Sequence, residues 1–166
     1  MAQVLLLTTD DVKTFTPLDG NVDKDKYVQY IKIAQDIHAQ RYLGTDLLNK
    51  LQDDVSADTL TGNYLTLVQN YLKPVLIHWT MVEAIPMLAI NISNGGIFRH
   101  EPENATPLSA EEIRDLVNQE KARAVYYTDR MIDYLVHNSN LFPEYLTNSN
   151  EDVSPDTDSN YCSWNL

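Results

Sequence analysis

The sequence predicts an all-α protein: a small bundle of about four helices with one long Pro-kinked helix, a loop or short β-hairpin insertion, and extended N- and C-terminal arms. Three observations lead to this prediction. Between residues 25 and 138, apolar side chains recur at the three- and four-residue spacing of amphipathic helices. The breaks in this spacing fall at glycine and proline, which end or bend helices. The C-terminal stretch has neither a helical nor a strand period.

Residues 1–24 are predicted to form an N-terminal arm with one helical turn around residues 10–15. The arm joins the apolar patch Leu5, Leu6 and Leu7 to the turn-rich stretch TPLDGNVD. No basic segment precedes this patch, and it is far shorter than the roughly 20 apolar residues of a membrane span. We therefore expect a soluble protein that is synthesised in a cytoplasm and has no membrane partner.

Two helices joined by a tight turn are predicted next. The first spans residues 25–42, and Gly44 follows it as a natural stop, because glycine accepts the backbone geometry at helix ends. Thr45 or Asp46 then caps a short second helix, since both side chains can accept a hydrogen bond from its free backbone N–H groups.

A third and much longer helix is predicted over residues 61–93. Its apolar period persists for roughly 45–50 Å at about 1.5 Å per residue. Pro74 and Pro86 each remove a backbone donor and clash with the preceding turn. We expect the helix to kink or to break into pieces at these two positions.

An insertion loop over residues 94–108 separates the long helix from the last one. It opens on Gly95 and Gly96, which suit a helix end in left-handed geometry. Ile97 and Phe98 follow and could add to a strand edge.

The start of the fourth helix has the clearest local signal in the chain. Ser109 and Glu112 have the S-x-x-E spacing of a capping box, and Leu108 and Ile113 have the spacing of a hydrophobic staple. The helix is predicted to run to residue 136 or 138, which closes a helical connector domain over residues 25–138. The core of this domain is predicted to contain Ile31, Leu43, Leu51, Leu72, Trp79, Leu88, Ile113, Leu116 and Met131.

Residues 139–166 are predicted to form an acidic C-terminal arm. Its last eighteen residues carry four acidic side chains and no basic one. Ordering their backbone costs on the order of 18–36 kcal/mol, whereas burial of Tyr161 and Trp164 contributes only about 10 kcal/mol. The arm therefore needs paired backbone groups or neighbouring chains to become ordered.

The charge and the cysteine count exclude several functional classes. A net charge of −12 argues against a surface that grips nucleic acid, because phosphate binding depends on basic side chains. An acidic wall can still border DNA without holding it. The single cysteine, Cys162, excludes an internal disulfide framework and a multi-cysteine metal site.

No sequence motif indicates catalysis, cofactor binding or metal binding. The four histidines (His38, His78, His100 and His137) lie in different segments, with no His or Cys at ligand spacing. The nearest acidic residue to His78 on its own helix is Glu83, which points off its face. We expect no catalytic residue, no cofactor, no metal and no enzyme activity.

Two adjacent tyrosines point to an interface. Tyr126 and Tyr127 cannot both face one core from the same helix. One of them is therefore expected to serve an interface, where the apolar ring and polar tip of tyrosine suit partial burial.

The order of features over residues 21–145 resembles the small α-helical head-tail connector (adaptor) proteins of tailed bacteriophages. The likeness lies in a helix-turn-helix, a long helix, a loop and a final helix that ends in DRMIDYLVHNSNLFPEYL. More narrowly, the order of NVD, AQ, YLG, SNGGI and FPEY is similar to that in ring proteins of crAss-like phages. The acidic C-terminal arm lies outside this resemblance.

The resemblance implies a structural virion protein at the head-tail junction, made in the host cytoplasm. It would form a homo-oligomeric ring, of twelve copies in the implied arrangement, that joins the portal protein to neighbouring tail or ring proteins. DNA would pass through the lumen without specific binding. Contacts to other chains are expected at Leu5, Leu6, Leu7, Ile97, Phe98, Phe142, Tyr145, Tyr161 and Trp164.

Several alternatives stay open at this level. Phe142 and Tyr145 could instead cap the open end of the bundle. The ring could be a tail-completion or stopper ring further from the portal. The chain could also be a non-viral helical adaptor protein, or a small hydrolase whose site is assembled only by tertiary contacts.

Overall fold

The structure is a computed structural model that describes residues 4–18, 22–93, 96–99, 108–149 and 152–158. For residues 91–93 and 96–99 it describes the backbone alone. The chain is mostly helical, which confirms the predicted all-α class. Within the described ranges, no helix combines the length and the apolar character needed to cross a membrane.

The N-terminal half of the chain folds into short helices that meet end to end. The helix α1 (Thr9–Phe15) begins at a capping box between Thr8 and Asp11. After a 3-10 turn at Lys24–Lys26, helical backbone continues through α2, a π-helical segment and α3. Their bounds are Val28–Ile33 for α2, Ala34–Ala39 for the π-helical segment and Gln40–Leu43 for α3.

Gly44 forms the corner between α3 and α4 (Thr45–Ser56). Its backbone angles are φ 75° and ψ 162°, a region that is open almost only to glycine. Helix α3 therefore ends at the predicted glycine, and α4 starts one residue later.

The predicted long helix is interrupted before its first proline. Helix α5 (Gly62–Leu67) passes into a π-helical segment, Val68–Leu72, and then into α6 (Lys73–Leu88). Pro74 has no N–H to offer the carbonyl of Asn70, and Arg130 donates a hydrogen bond to that oxygen at 3.2 Å. The side chain of another helix thus replaces a bond that proline removes.

The helix predicted to reach residue 93 ends earlier, at Leu88. Pro86 lies in its last turn and leaves the Val82 carbonyl without its helical donor. Strand β1 (Ile90–Ser93) follows and pairs antiparallel with β2 (Gly96–Arg99), with Ile90 opposite Arg99 and Ser93 opposite Gly96. The remainder of the predicted insertion, residues 100–107, lies outside the described residues.

The C-terminal helices are α7 (Ala110–His137) and α8 (Pro143–Thr147), with a 3-10 turn at Ser139–Leu141 between them. The predicted capping box at the start of α7 is confirmed. The Ser109 hydroxyl accepts from the Glu112 N–H at 3.2 Å, and a Glu112 carboxylate oxygen accepts from the Ser109 N–H at 2.8 Å.

Replacing Ser109 with alanine should lower the free energy of unfolding by about 1 kcal/mol, since the Glu112 N–H loses its cap. The hydrogen bonds that the Glu112 carboxylate accepts from Ser109 lower the pKa of that carboxyl, so the stability from these bonds, unlike that of the cap, is present at neutral pH and is lost as the carboxyl becomes protonated in acid. Urea denaturation of the variant measures the change. Ser109→Asp is the matched control, because aspartate restores the acceptor and should recover most of the stability.

The core lies where α6 crosses α7 and α2. Six of the predicted core residues are buried: Ile31, Leu43, Leu51, Leu72, Trp79 and Met131. Leu88 and Ile113 are half-buried. The prediction is wrong for Leu116, which is 41% exposed, because α7 contributes buried side chains only from Glu120 onward.

The N-terminal segment packs into this core. Leu6 and Leu7 are buried, and the side chain of Gln35, itself fully buried, holds the segment from both sides. Its Oε1 accepts from the Leu6 N–H at 2.9 Å, and its Nε2 donates to the Val4 carbonyl at 3.1 Å. Leu6 and Leu7 thus belong to the core of their own chain, and their contact with other chains stays a prediction. Leu5 is half-buried against the same core.

Candidate functional site

Residues 152–158, here called the tail anchor, lie on the Gly44 corner. The Thr45 N–H donates to the Val153 carbonyl, and the Asp156 N–H donates to the Arg41 carbonyl, both at 2.9 Å. The Val153 N–H donates in turn to Thr45 Oγ1 at 3.1 Å. The tail anchor is therefore held by paired backbone groups, as predicted for an ordered acidic arm.

Charged side chains reinforce the tail anchor. Arg41 donates to Asp156 through Nε at 3.2 Å and through a terminal guanidinium nitrogen at 3.0 Å. Gln40 Nε2 donates to Asp152 at 3.0 Å, and so does Thr45 Oγ1 at 3.1 Å. Two acidic residues of the predicted C-terminal arm, Asp152 and Asp156, thus have specific partners on α3 and α4.

The predicted interface residues near the C terminus separate into two groups. Phe142 and Tyr145 are buried in the core of their own chain, where Phe142 contacts the rings of Tyr64 and Tyr134. This burial favours the alternative in which they cap the end of the bundle, and their contact with other chains stays a prediction. Tyr161 and Trp164 lie outside the described residues, as do the side chains of Ile97 and Phe98.

Two histidines pair with glutamates on other helices. His38 Nε2 lies 3.0 Å from Glu83 Oε1, and its ring stacks on Trp79 with centroids 3.7 Å apart. His38 comes from the first π-helical segment, while Glu83 and Trp79 belong to α6. Sequence spacing could not find this pair, because 45 residues separate its members.

Burial lowers the pKa of His38, and the hydrogen bond to Glu83 opposes that shift only in part. The folded protein then binds this proton less readily than the unfolded chain does. Stability contributed by His38 is present above about pH 6.5 and is lost as the pH falls toward the folded pKa. Thermal unfolding should show a smaller loss of stability between about pH 7.5 and about pH 5.5 in His38→Gln than in the wild type.

The control for this comparison is His137→Gln, which changes an exposed histidine at the end of α7. It should keep the wild-type pH dependence. An unchanged pH dependence in His38→Gln would contradict the assignment of the effect to His38.

The second pair joins α6 to α7. His78 Nδ1 lies 2.7 Å from an oxygen of Glu120, a carboxylate that is almost fully buried. Arg123 donates to the other oxygen of Glu120, and the His78 ring stacks parallel to Tyr127 with centroids 5.1 Å apart. Among the described residues, His78 Nε2 has no hydrogen-bond partner. Sequence spacing could not find this pair either, since its members are 42 residues apart.

Two separate cavities border α7. The first has a volume of about 540 Å³, and its lining includes Tyr71, Arg130, Asp133, Tyr134 and the tail-anchor residue Thr157. The second has a volume of about 470 Å³, and its lining includes Phe15, Pro74, Ile77, Lys73, His78 and Tyr127. No group of three or more His, Cys, Asp or Glu side chains suited to a metal ion occurs in the part of the chain that the structure describes.

Large apolar side chains are exposed on several elements. Phe15 on α1 and Tyr126 on α7 are 67% and 63% exposed, and Leu146 on α8 and Ile37 in the first π-helical segment are 61% and 58% exposed. Of the adjacent tyrosines, Tyr126 is the one that faces away from the core, and it touches Tyr127 edge to face.

Comparison with known proteins yields one match. The model of a protein family described as "Family of unknown function (DUF6712)" matches residues 39–155. The matched range includes the Gly44 corner and the first residues of the tail anchor. No curated protein and no solved structure matches the chain.

Proposed function

The chain belongs to DUF6712, a family of unknown function, and we propose from its own residues that it is a structural protein of a phage virion. In this proposal it forms a homo-oligomeric ring of twelve copies at the head-tail junction. The ring joins the portal to the tail and continues the DNA channel. Its role is mechanical, and no catalytic step is assigned to it.

The observation that carries the proposal is the exposure of large apolar side chains on different elements. Phe15 and Tyr126 lie on α1 and α7, whereas Leu146 lies on α8. A ring closed by head-to-tail contacts needs two different patches on each subunit, one for each neighbour. Aromatic side chains such as Tyr126 are enriched at the centres of such contacts.

The charge of the chain also supports this role. Its net charge of −12 leaves few cations to bind DNA phosphates, and several of those cations already have protein partners. Arg41 pairs with Asp156, and Lys73 pairs with Asp11 at 3.0 Å. A channel wall of this kind lets DNA pass without retaining it.

A binding experiment with the portal protein encoded in the same genome tests the proposal. We expect the purified chain to bind the portal and to form closed rings on it that are visible by negative-stain electron microscopy. The variants Tyr126→Ala and Leu146→Ser should fold normally but weaken ring formation, since both side chains are exposed. Lys26→Ala, an exposed polar change in a 3-10 turn, is the matched control.

Each outcome of this experiment has a defined meaning. Rings on the portal support the connector role. Failure to bind the portal, together with rings on an isolated tail tube, would move the protein to a tail-completion or stopper position. Binding to neither, or a gene that lies among metabolic genes, would contradict the virion proposal and favour a helical adaptor of another kind.

A further inference from the structure

We propose that the outer side of α7 on one copy of this chain docks on the outer side of α4 on a second copy, so that successive copies join head to tail. The inference deepens the proposed ring and rests on it, because it names the two surfaces at which neighbouring subunits would meet. The first surface, here called the α7 stripe, consists of Leu116, Gln119, Arg123, Tyr126 and Arg130. The second, here called the α4 stripe, consists of Asp46, Asn49 and Asp53.

The α7 stripe lies along one side of its helix. Its members follow one another at spacings of three and four residues, which bring side chains into line on a helix. All five are exposed, with Leu116 at 41% and Tyr126 at 63%. Tyrosine and arginine are enriched in the centres of protein interfaces. The composition of the α7 stripe is therefore that of a contact surface.

The exposed charge of the α7 stripe is positive, although the chain as a whole is acidic. Within the span of the stripe, α7 carries two acidic residues, of which Glu120 is buried and Asp129 is half-buried. The exposed acids Asp115 and Asp133 lie outside its two ends. The two arginines of the stripe each donate one hydrogen bond within the chain, but a guanidinium has five N–H donors. The stripe therefore suits a partner that presents carboxylates.

The α4 stripe has the opposite charge. Asn49 and Asp53 are exposed, and Asp46 is half-buried. Among the described residues, Asp53 has no hydrogen-bond or ion-pair partner through its side chain. Lys50, the one basic residue of α4, pairs with Asp54. The negative charge of the α4 stripe is thus not offset on its own helix.

The two stripes also match in spacing. The arginines of the α7 stripe and the aspartates of the α4 stripe are each seven residues apart, which is about 10 Å along a helix. When the helices lie side by side in either direction, both arginine–aspartate pairs can form, with Tyr126 between them on one helix and Asn49 on the other. Helix α8 lies next to α4, since the Asp46 N–H donates to the side chain of Asn148 at 3.3 Å. It adds the exposed side chain of Leu146 as apolar surface for the contact.

Charge selects a head-to-tail contact over a two-fold one. A two-fold contact between two α7 stripes would set arginine against arginine, and one between two α4 stripes would set aspartate against aspartate, which is unfavourable. The contact between unlike stripes avoids both conflicts and leaves one stripe of each kind open at the ends of the assembly. Further copies can add there until the ring closes. Exposed ion pairs are individually weak, but closure makes the last contacts intramolecular.

Cross-linking between single-cysteine chains tests the proposal in the absence of the portal. In a Cys162→Ser background, Ala122→Cys places a thiol beside the α7 stripe and Asn49→Cys places one within the α4 stripe, both at exposed positions. We expect a short bismaleimide to join the two chains when they are mixed, and to give little homodimer from either chain alone. Adding Asp53→Lys to the Asn49→Cys chain should lower the yield of heterodimer about fivefold. Added salt should lower it as well, because it screens exposed charges.

The matched control is Asp25→Lys, which makes the same charge change at an exposed residue of the 3-10 turn before α2. It should keep the yield of the parent pair. A mixture that gives no more heterodimer than either chain gives homodimer would overturn the proposal, and so would a yield that Asp53→Lys leaves unchanged. Homodimers of the Ala122→Cys chain as the main product would also overturn it and would indicate a two-fold contact through α7.

The same variants separate this contact from the connector role. Heterodimers that form as expected, from a protein that does not bind the portal, would contradict the connector role and support the contact between copies. Rings that form normally on the portal in Asp53→Lys would support the connector role and overturn the contact between the two stripes.

Discussion

Replacing Trp79 with alanine is expected to lower the free energy of unfolding by about 3–5 kcal/mol, the largest effect of any single change considered for the core. Trp79 is 2% exposed and lies on α6 between two neighbours. Its ring stacks on His38, and its Nε1–H donates to Thr128 Oγ1 on α7 at 3.1 Å. The substitution leaves a cavity at the point where the first π-helical segment, α6 and α7 meet.

Two further variants separate packing from hydrogen bonding at this position. Thr128→Val keeps the volume of the side chain but removes the acceptor of the indole N–H. It should lower the free energy of unfolding by about 1–3 kcal/mol. The same change in a Trp79→Phe background should cost less, because phenylalanine has no N–H to satisfy. Urea denaturation of the four proteins measures this cycle. A loss in Trp79→Ala no larger than that in the exposed-site variant Tyr126→Ala would contradict the central role of Trp79.

Replacing Gly44 with alanine is expected to destabilise the protein by about 1–3 kcal/mol through backbone strain alone, because its φ and ψ lie in a region open almost only to glycine. A steric effect adds to this strain. A Cβ at this position would lie 2.7 Å from Pro155 Cγ and 2.9 Å from Asn148 Oδ1. The variant should therefore also detach the tail anchor, which hydrogen exchange at the amide groups of Val153 and Asp156 would report.

Gly62→Ala is the matched control for this prediction. Gly62 also has a positive φ, 58°, but a Cβ there would meet nothing within 4 Å. It should lower stability by about 1 kcal/mol and leave the tail anchor protected. A chain that ends at Asn148 should lose part of the penalty of Gly44→Ala, since Pro155 is absent. If Gly44→Ala lowered the free energy of unfolding equally in the full-length and the shortened chain, the steric effect of Pro155 would be contradicted.

The sequence predicted those parts of the fold that depend on neighbouring residues. The capping box of Ser109 and Glu112, the stop at Gly44 and the turn of helix at α1 all follow from contacts within a few positions. The end of α6 was misplaced because the apolar period continues through residue 92, into strand β1. A helical period cannot distinguish the last turns of a helix from a short strand that follows it.

The candidate site was predicted far less well, because its contacts join distant parts of the chain. The tail anchor was expected to need paired backbone groups, but its partners, Arg41 and Thr45, lie more than a hundred positions away. The interface expected at Leu7 and Phe142 rested on their position in predicted arms, where a single sequence does not distinguish a side chain buried by its own chain from one that awaits a partner. The pairing of His78 with Glu120 cannot be predicted from the spacing of neighbouring residues.

The π-helical segments have a consequence for how this chain tolerates changes in length. Each bonds residues five apart instead of four, so it holds about one residue more than an α-helical turn would need. Deleting one residue within Ala34–Ala39 would let the segment rewind as α-helix while the helical faces on either side keep their alignment. Helix α7 has no extra residue of this kind in its middle. A deletion of one residue there would rotate every later side chain of the helix by about 100°. The π-helical segments are thus the places where the bundle can tolerate the deletion of one residue and keep its core packing.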